Sequence, residues 1–219
     1  MEGWLLPQFI ELTPEVKIPI DEVEIRETLE QHPEWIVDIV LAGNPQLEDE
    51  CQVELAKHEW WIVRAILALN KNLNRTILSQ LAADRDFRIR AIIAIRLDAP
   101  EEVLKNLSKD GSRIVRLVVA SRPLPKHIWE ELLRDENEDV KRLVIERNLL
   151  DEENIKRVIR EKSLTTIFAI CAVQRITPEV FKEISSLKED KNFTKQLSIE
   201  LNEYNPKSKK VKKVEFETT

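Results

Sequence analysis

Three histidines, two cysteines, five tryptophans and a regular series of acid–base pairs are the side chains in this 219-residue chain that could do chemistry. His32 and His58 lie one sequence period apart, and their rings could approach each other across neighbouring helices. A transition metal needs three or four ligands with supporting contacts, and only Glu34 and Glu59 stand near them. The pattern therefore predicts no metal site, with each His standing in for a capping Asp. His127 lies beside Trp129 with no Ser or Cys positioned as a nucleophile, so acyl-transfer chemistry has no support. Cys51 and Cys171 are far apart and form no CxxC, which fits a reducing compartment. Only Gly3, Gly43 and Gly111 are present, so neither a dinucleotide-binding GxGxxG nor a phosphate-cradling loop can be written. The expectation is a chain with no catalytic residues and no cofactor.

The acid–base pairs are more regular. Asp84 precedes Arg90, Asp110 precedes Arg116 and Asp135 precedes Lys141, each by six residues, and His58 precedes Arg64 in the same register. An Asp at a helix entrance can cap free N–H groups, and a base two turns on can reach the Asp of its own or the next unit. The series reads either as a structural ladder joining neighbouring units or as a cationic stripe, Arg64, Arg90, Arg116 and Lys141, facing phosphates. Trp35, Trp61 and Phe87 form an aromatic column suited to packing between units. Trp4, Trp60 and Trp129 fall outside it and are the candidate exposed anchors, since Trp is enriched at binding hot spots.

These residues are carried by a repeat. Leu29, Leu55, Leu81, Leu107, Leu132 and Val158 form one column with a 26-residue beat, shortened once to 25. Val37, Val63, Ile89, Val115 and Val140 form a second, and Ala42, Ala68, Ala94, Ala120, Ile145 and Cys171 a third, mostly small one. Within a unit the apolar positions follow i, i+3, i+4, i+7 spacing, the stripe of a helix facing a core. A second short helix follows in each unit. Asn44, Asn70 and Asn148 mark the end of the first helix, where Asn tolerates a left-handed cap, and Pro45, Pro100, Pro123, Pro125 and Pro178 punctuate the links. Helices of about ten residues are marginal alone, so such units must stack. Register places Cys171 in the small-residue column and Cys51 beside Ile77 and Val103, so both cysteines are expected to be buried and unreactive.

The segments His32-Pro33-Glu34-Trp35-Ile36-Val37, Leu55-Ala56-Lys57-His58-Glu59-Trp60-Trp61-Ile62-Val63-Arg64-Ala65 and Leu81-Ala82-Ala83-Asp84-Arg85-Asp86-Phe87-Arg88-Ile89-Arg90-Ala91 resemble the leucine-rich-repeat variant family. Its repeats look like L-A-x-D-P-x-W-x-V-R-x-x-V-A-x-N-P-x-x-P-x-x-x-L. A broader resemblance to HEAT-like repeats shares the Asp/Arg pair. The resemblance covers roughly residues 29–183 and implies an all-α fold: a right-handed α-α superhelix, or solenoid, of about six 26-residue two-helix repeats. The period is longer than is usual for the family, which suggests a second helix fuller than a 3₁₀ turn. Some members carry a Cys-rich iron–sulfur module, for which two cysteines are too few.

The ends differ from this body. Residues 1–28 carry a net charge of −5 and read as an N-terminal cap segment, with Leu5, Leu6, Phe9 and Ile10 available to fold over the first repeat. Residues 184–204 read as C-terminal capping helices, and residues 205–219 as a disordered Lys-rich tail of net +3. The start, MEGWLLPQFIELTPEV, has no basic stretch followed by an apolar one, and nowhere do about eighteen apolar residues run together. A cytoplasmic protein away from the membrane is expected. Together these features predict a non-catalytic helical-repeat scaffold that binds a protein or peptide. Nucleic-acid binding through the basic column, the tryptophans and the tail is the alternative, weakened by the mildly acidic body.

Overall fold

A computed structural model describes residues 9–13, 16–19 and 22–195. The chain divides into two compact units, residues 1–149 and 150–219.

In the first unit, nine helices of the repeat body follow a short N-terminal segment. The first helices of successive repeats are α2 (Trp35–Ala42), α4 (Trp61–Leu69), α6 (Phe87–Ile95), α8 (Arg113–Ala120) and α10 (Glu138–Arg147). They stack one on the next in chain order, α2 on α4, α4 on α6, α6 on α8 and α8 on α10. Between them sit the second helices, α3 (Asp49–Leu55), α5 (Arg75–Leu81), α7 (Glu101–Leu107) and α9 (Lys126–Leu132), each packed on the two first helices that flank it in sequence. This two-layer, sequential packing is the solenoid arrangement. The second helices are true α-helices of seven residues each, too short to persist without neighbours.

The core is the seam between the layers. Ile89, Ile92 and Ile93 of α6 are fully buried, as are Val115, Val118 and Val119 of α8. β-Branched residues lose side-chain freedom in a helix, so tertiary burial and not intrinsic propensity holds these segments helical. Ala42, Ala68, Ala94 and Ala120 are completely covered, because a small side chain here lets the next first-layer helix approach closely.

The second unit contains α11 (Glu152–Arg160), α12 (Leu164–Val173), α13 (Pro178–Ser186), a 3₁₀ turn at Leu187–Glu189 and helical residues 191–195. α11 packs on both α12 and α13, around Ile155, Val158, Ile159 and Ile170. The segment expected to cap the C-terminus thus begins as a continuation of α13. The Lys-rich tail lies outside the described residues.

Two local expectations change. Residues Phe9–Thr13 (β1) and Val16–Pro19 (β2) form an antiparallel hairpin, pairing Ile10 with Ile18 and Glu11 with Lys17 and shifting register before Thr13 pairs with Val16. β1 lies beside α6 and β2 beside α8; Leu5 and Leu6 of the expected cap lie outside the described residues. α1 (Glu22–Gln31) follows, and its Glu24 accepts a hydrogen bond from Trp61 Nε1 at 3.3 Å. The asparagines ending the first helices do not take the left-handed conformation: Asn70 and Asn148 are extended, and among the described residues Lys162 is the one non-glycine with positive φ.

Candidate interaction surface

The Asp/Arg series forms rungs between consecutive repeats. Arg64 donates to both oxygens of Asp84, from Nε at 2.7 Å and Nη2 at 3.0 Å. Arg90 does the same to Asp110 at 2.6 and 2.8 Å, and Arg116 to Asp135 at 2.6 and 3.1 Å. The remaining guanidinium nitrogen of each Arg donates to a backbone carbonyl six residues earlier: Arg64 to His58, Arg90 to Asp84 and Arg116 to Asp110. Each carboxylate also accepts a backbone N–H two residues on, Asp84 from Asp86, Asp110 from Ser112 and Asp135 from Asn137. The carboxylates thus close a local turn instead of capping the helix itself; Asp86 and Asn137 cap α6 and α10.

Electrostatics follow the geometry. Burial pulls the Asp110 carboxyl upward, but the hydrogen bonds from Arg90 and the Ser112 N–H, together with the charges of Arg90 and Arg116, outweigh it and hold it below the ordinary carboxylate range. The hydrogen bonds to Asp110 and Asp135 raise Arg90 and Arg116 in turn. These three cations are committed to the protein's own carboxylates and carbonyls. In the next unit, Lys141 is buried and pairs with Glu138 of its own helix at 2.7 Å.

The first rung has reversed polarity. Asp38 occupies the helix position held by Arg64, Arg90 and Arg116 in later units, and His58 occupies the position of Asp84, Asp110 and Asp135. His58 Nε2 lies 3.4 Å from Asp38 Oδ2, and His58 Nδ1 accepts the Trp60 N–H at 3.0 Å. His58 therefore closes the same turn an Asp closes elsewhere, as expected of a substitute for the capping Asp. His32 stacks flat on Trp35, with centroids 4.1 Å apart, while Trp35 meets His58 edge-on and leans on Trp60. Among the described residues no group of three or more His, Cys, Asp or Glu side chains is arranged to hold a metal ion. His127 lies 3.2 Å from Glu101 on the surface.

The tryptophan anchors are corrected by burial. Trp60 is 6% exposed and Trp129 5% exposed. Trp129 occupies the core column of Leu78 and Leu104, and Trp60 stands at the helix-entry position of α4, covered by Trp35 of the preceding repeat. Trp4 lies outside the described residues. In the aromatic column Trp61 is buried, with the Arg88 guanidinium of the next unit 3.6 Å over its ring, a cation–π contact between repeats.

A second set of ties was not anticipated. Asn70, Arg96 and Arg122 share one register position at successive helix ends. Asn70 Nδ2 donates to the carbonyls of Ala42 and Asn44, Arg96 Nη1 to those of Ala68 and Asn70, and Arg122 Nη1 to those of Ala94 and Arg96. Each satisfies the free carbonyls at the end of the previous repeat's first helix. Burial, which disfavours the charged form, lowers the Arg122 pKa. The signal in sequence was the 26-residue register, obscured by the change from Asn to Arg.

Among the described residues of the first unit, α2 gathers four exposed large apolar side chains on one helix. Val37, Val40 and Leu41 are 56%, 54% and 42% exposed, whereas Val63, Ile89, Ile92 and Leu67, from the same columns, are 0–2% or less exposed. A cleft of about 260 Å³ lies between Lys57, His58, Gln80, Asp84 and Arg85, but Arg64 in its wall is consumed by its rung. Both cysteines are exposed, against the expectation of burial. Cys51 belongs to α3 and is exposed although Ile77, its counterpart in α5, is buried. Cys171 belongs to α12 of the second unit. No helix among the described residues is long and apolar enough to cross a membrane.

No family model and no curated protein matches this chain. Among solved structures, it is similar to one described as a leucine-rich repeat variant with a novel repetitive protein structural motif, with 19% identity, a match covering 74% of this chain and 84% of that one, and a TM-score of 0.39.

Proposed function

We propose that this chain is a non-catalytic helical-repeat scaffold that binds a protein or peptide in the cytoplasm. The observation that carries the reading is how the polar side chains at repeating positions are used. Arg64, Arg90 and Arg116 direct their donors to Asp84, Asp110, Asp135 and backbone carbonyls, and Asn70, Arg96 and Arg122 do the same at helix ends. The chemistry at these positions is devoted to holding helix pairs in register, the requirement of a rigid recognition surface. The same geometry disfavours a phosphate-reading stripe, which needs cations free to release counterions.

Crosslinking and mass spectrometry of the full chain in native lysate, with nuclease-treated lysate in parallel, tests the reading. A protein captured equally in both supports it. Capture that disappears after nuclease treatment, or turnover of a small molecule without any stoichiometric partner, overturns it.

A further inference from the structure

α2 is built like every later first-layer helix but is covered on one side. It packs on α4 and α3, and Ala42 at its small-residue position is fully buried. On the other side Ile36, Val37, Val40 and Leu41 stand between 42% and 56% exposed. In α4 the corresponding Ile62, Val63 and Leu67 are at most 2% exposed and Ile66 is half-buried. The exposed face therefore has the apolar pattern and spacing that elsewhere in this chain receive a neighbouring helix.

Its surroundings are of one sign. Residues 23–50 carry eight carboxylates against Arg26 alone, and Glu30, Glu34, Glu48 and Glu50 are exposed.

We propose that this face of α2 docks a cationic amphipathic helix of a partner protein, with apolar residues at i, i+3, i+4 and i+7 and Lys or Arg on the flanks. The proposal rests on the scaffold reading and names its binding surface. Charge complementarity selects the partner. A second copy of this chain meeting the face about a two-fold axis would bring two surfaces of the same negative sign together, a like-charge arrangement that disfavours self-association.

The test uses two labelled peptides of about 18 residues, long enough to form a helix, one of Leu and Lys at helical spacing and the other with Glu in place of Lys. Fluorescence anisotropy with the full chain is expected to show the Leu/Lys peptide binding at least about tenfold more tightly than the Leu/Glu peptide. The double variant Val37→Ser/Val40→Ser, with an unchanged thermal melt, is expected to lose about tenfold in that affinity. Equal binding of the two peptides, or binding unaffected by the double substitution, overturns the proposal. A concentration-dependent dimer that the substitutions dissolve also overturns it, by assigning the face to a second copy. A partner captured from lysate that binds wild type and double variant alike removes this site and leaves the scaffold reading standing.

Discussion

His58 Nε2 faces Asp38 Oδ2 at 3.4 Å, the reverse of the Arg-to-Asp direction in the three rungs that follow. Because the two positions are equivalent to those of Arg64 and Asp84, the rung can be rewritten. His58→Asp alone would oppose two carboxylates and is expected to lower stability by about 1–3 kcal/mol. Adding Asp38→Arg would restore the polarity of the later rungs and recover most of that loss. Urea unfolding of the two single variants and the double variant measures the coupling; strictly additive effects would show that the two side chains do not interact.

The rung at Arg90 depends on shape as well as charge. Arg90 binds both oxygens of Asp110 and also the Asp84 carbonyl, a fork that an ammonium group cannot reproduce. Arg90→Ala would leave a nearly buried carboxylate without its partner, at a cost of about 3 kcal/mol, and Arg90→Lys should recover only part of it. Lys109→Ala, which removes an exposed pair with Glu131, is expected to change stability by less than about 0.5 kcal/mol. Chemical denaturation separates the two cases; equal effects would mean that the rungs are as dispensable as surface pairs.

The helix pairs, their register and the rungs were legible in the sequence because each is a local pattern repeated at a fixed interval. Ile89, Ile92 and Ala94 declare one face of one helix, and stacking follows. The ends were not legible in the same way. Cys51 and Ile77 share a column, yet one is exposed and the other buried, because burial depends on what packs around a position and not on the residue's own pattern. Trp129 shares its column with Leu78 and Leu104, but the 25-residue interval before it shifts the alignment by one and concealed the match. The hairpin was missed because two strands of five and four residues give too short an alternation to register beside helix-length patterns. Arg96 and Arg122 were missed because one register position is filled by two residue types that do the same work on a helix end.

Acid stability should follow the depressed carboxylates. Asp86 behaves like Asp110: burial raises its carboxyl, and the hydrogen bonds and charge of Arg88 outweigh that and bring it below its ordinary value. A carboxyl whose folded pKa lies below its unfolded one contributes its full stabilisation above the unfolded value, about 3.9, and loses it as pH falls toward the folded value. The melting temperature is therefore expected to hold steady near neutrality and fall steeply below about pH 4. Asp110→Asn should lower the plateau and flatten the acid limb. Thermal melts from pH 6 down to the acid range check both, and an identical acid slope in wild type and Asp110→Asn would remove Asp110 as a contributor.

The exposed cysteines make the ends of the repeat rows chemically readable. Cys51 and Cys171 fall in columns whose other members are buried, so their accessibility reports missing neighbours and not local unfolding. Both should react with a maleimide in the native protein, without denaturant and at a rate independent of added low concentrations of urea. Desolvation pushes the Cys171 thiol above its ordinary value, which lowers its thiolate fraction, so at neutral pH its labelling should run slower than that of glutathione and approach it as pH rises. Intact-protein mass spectrometry over a time course gives both rates. Labelling that appears only under conditions that unfold the chain would place both thiols in the core and contradict their exposure.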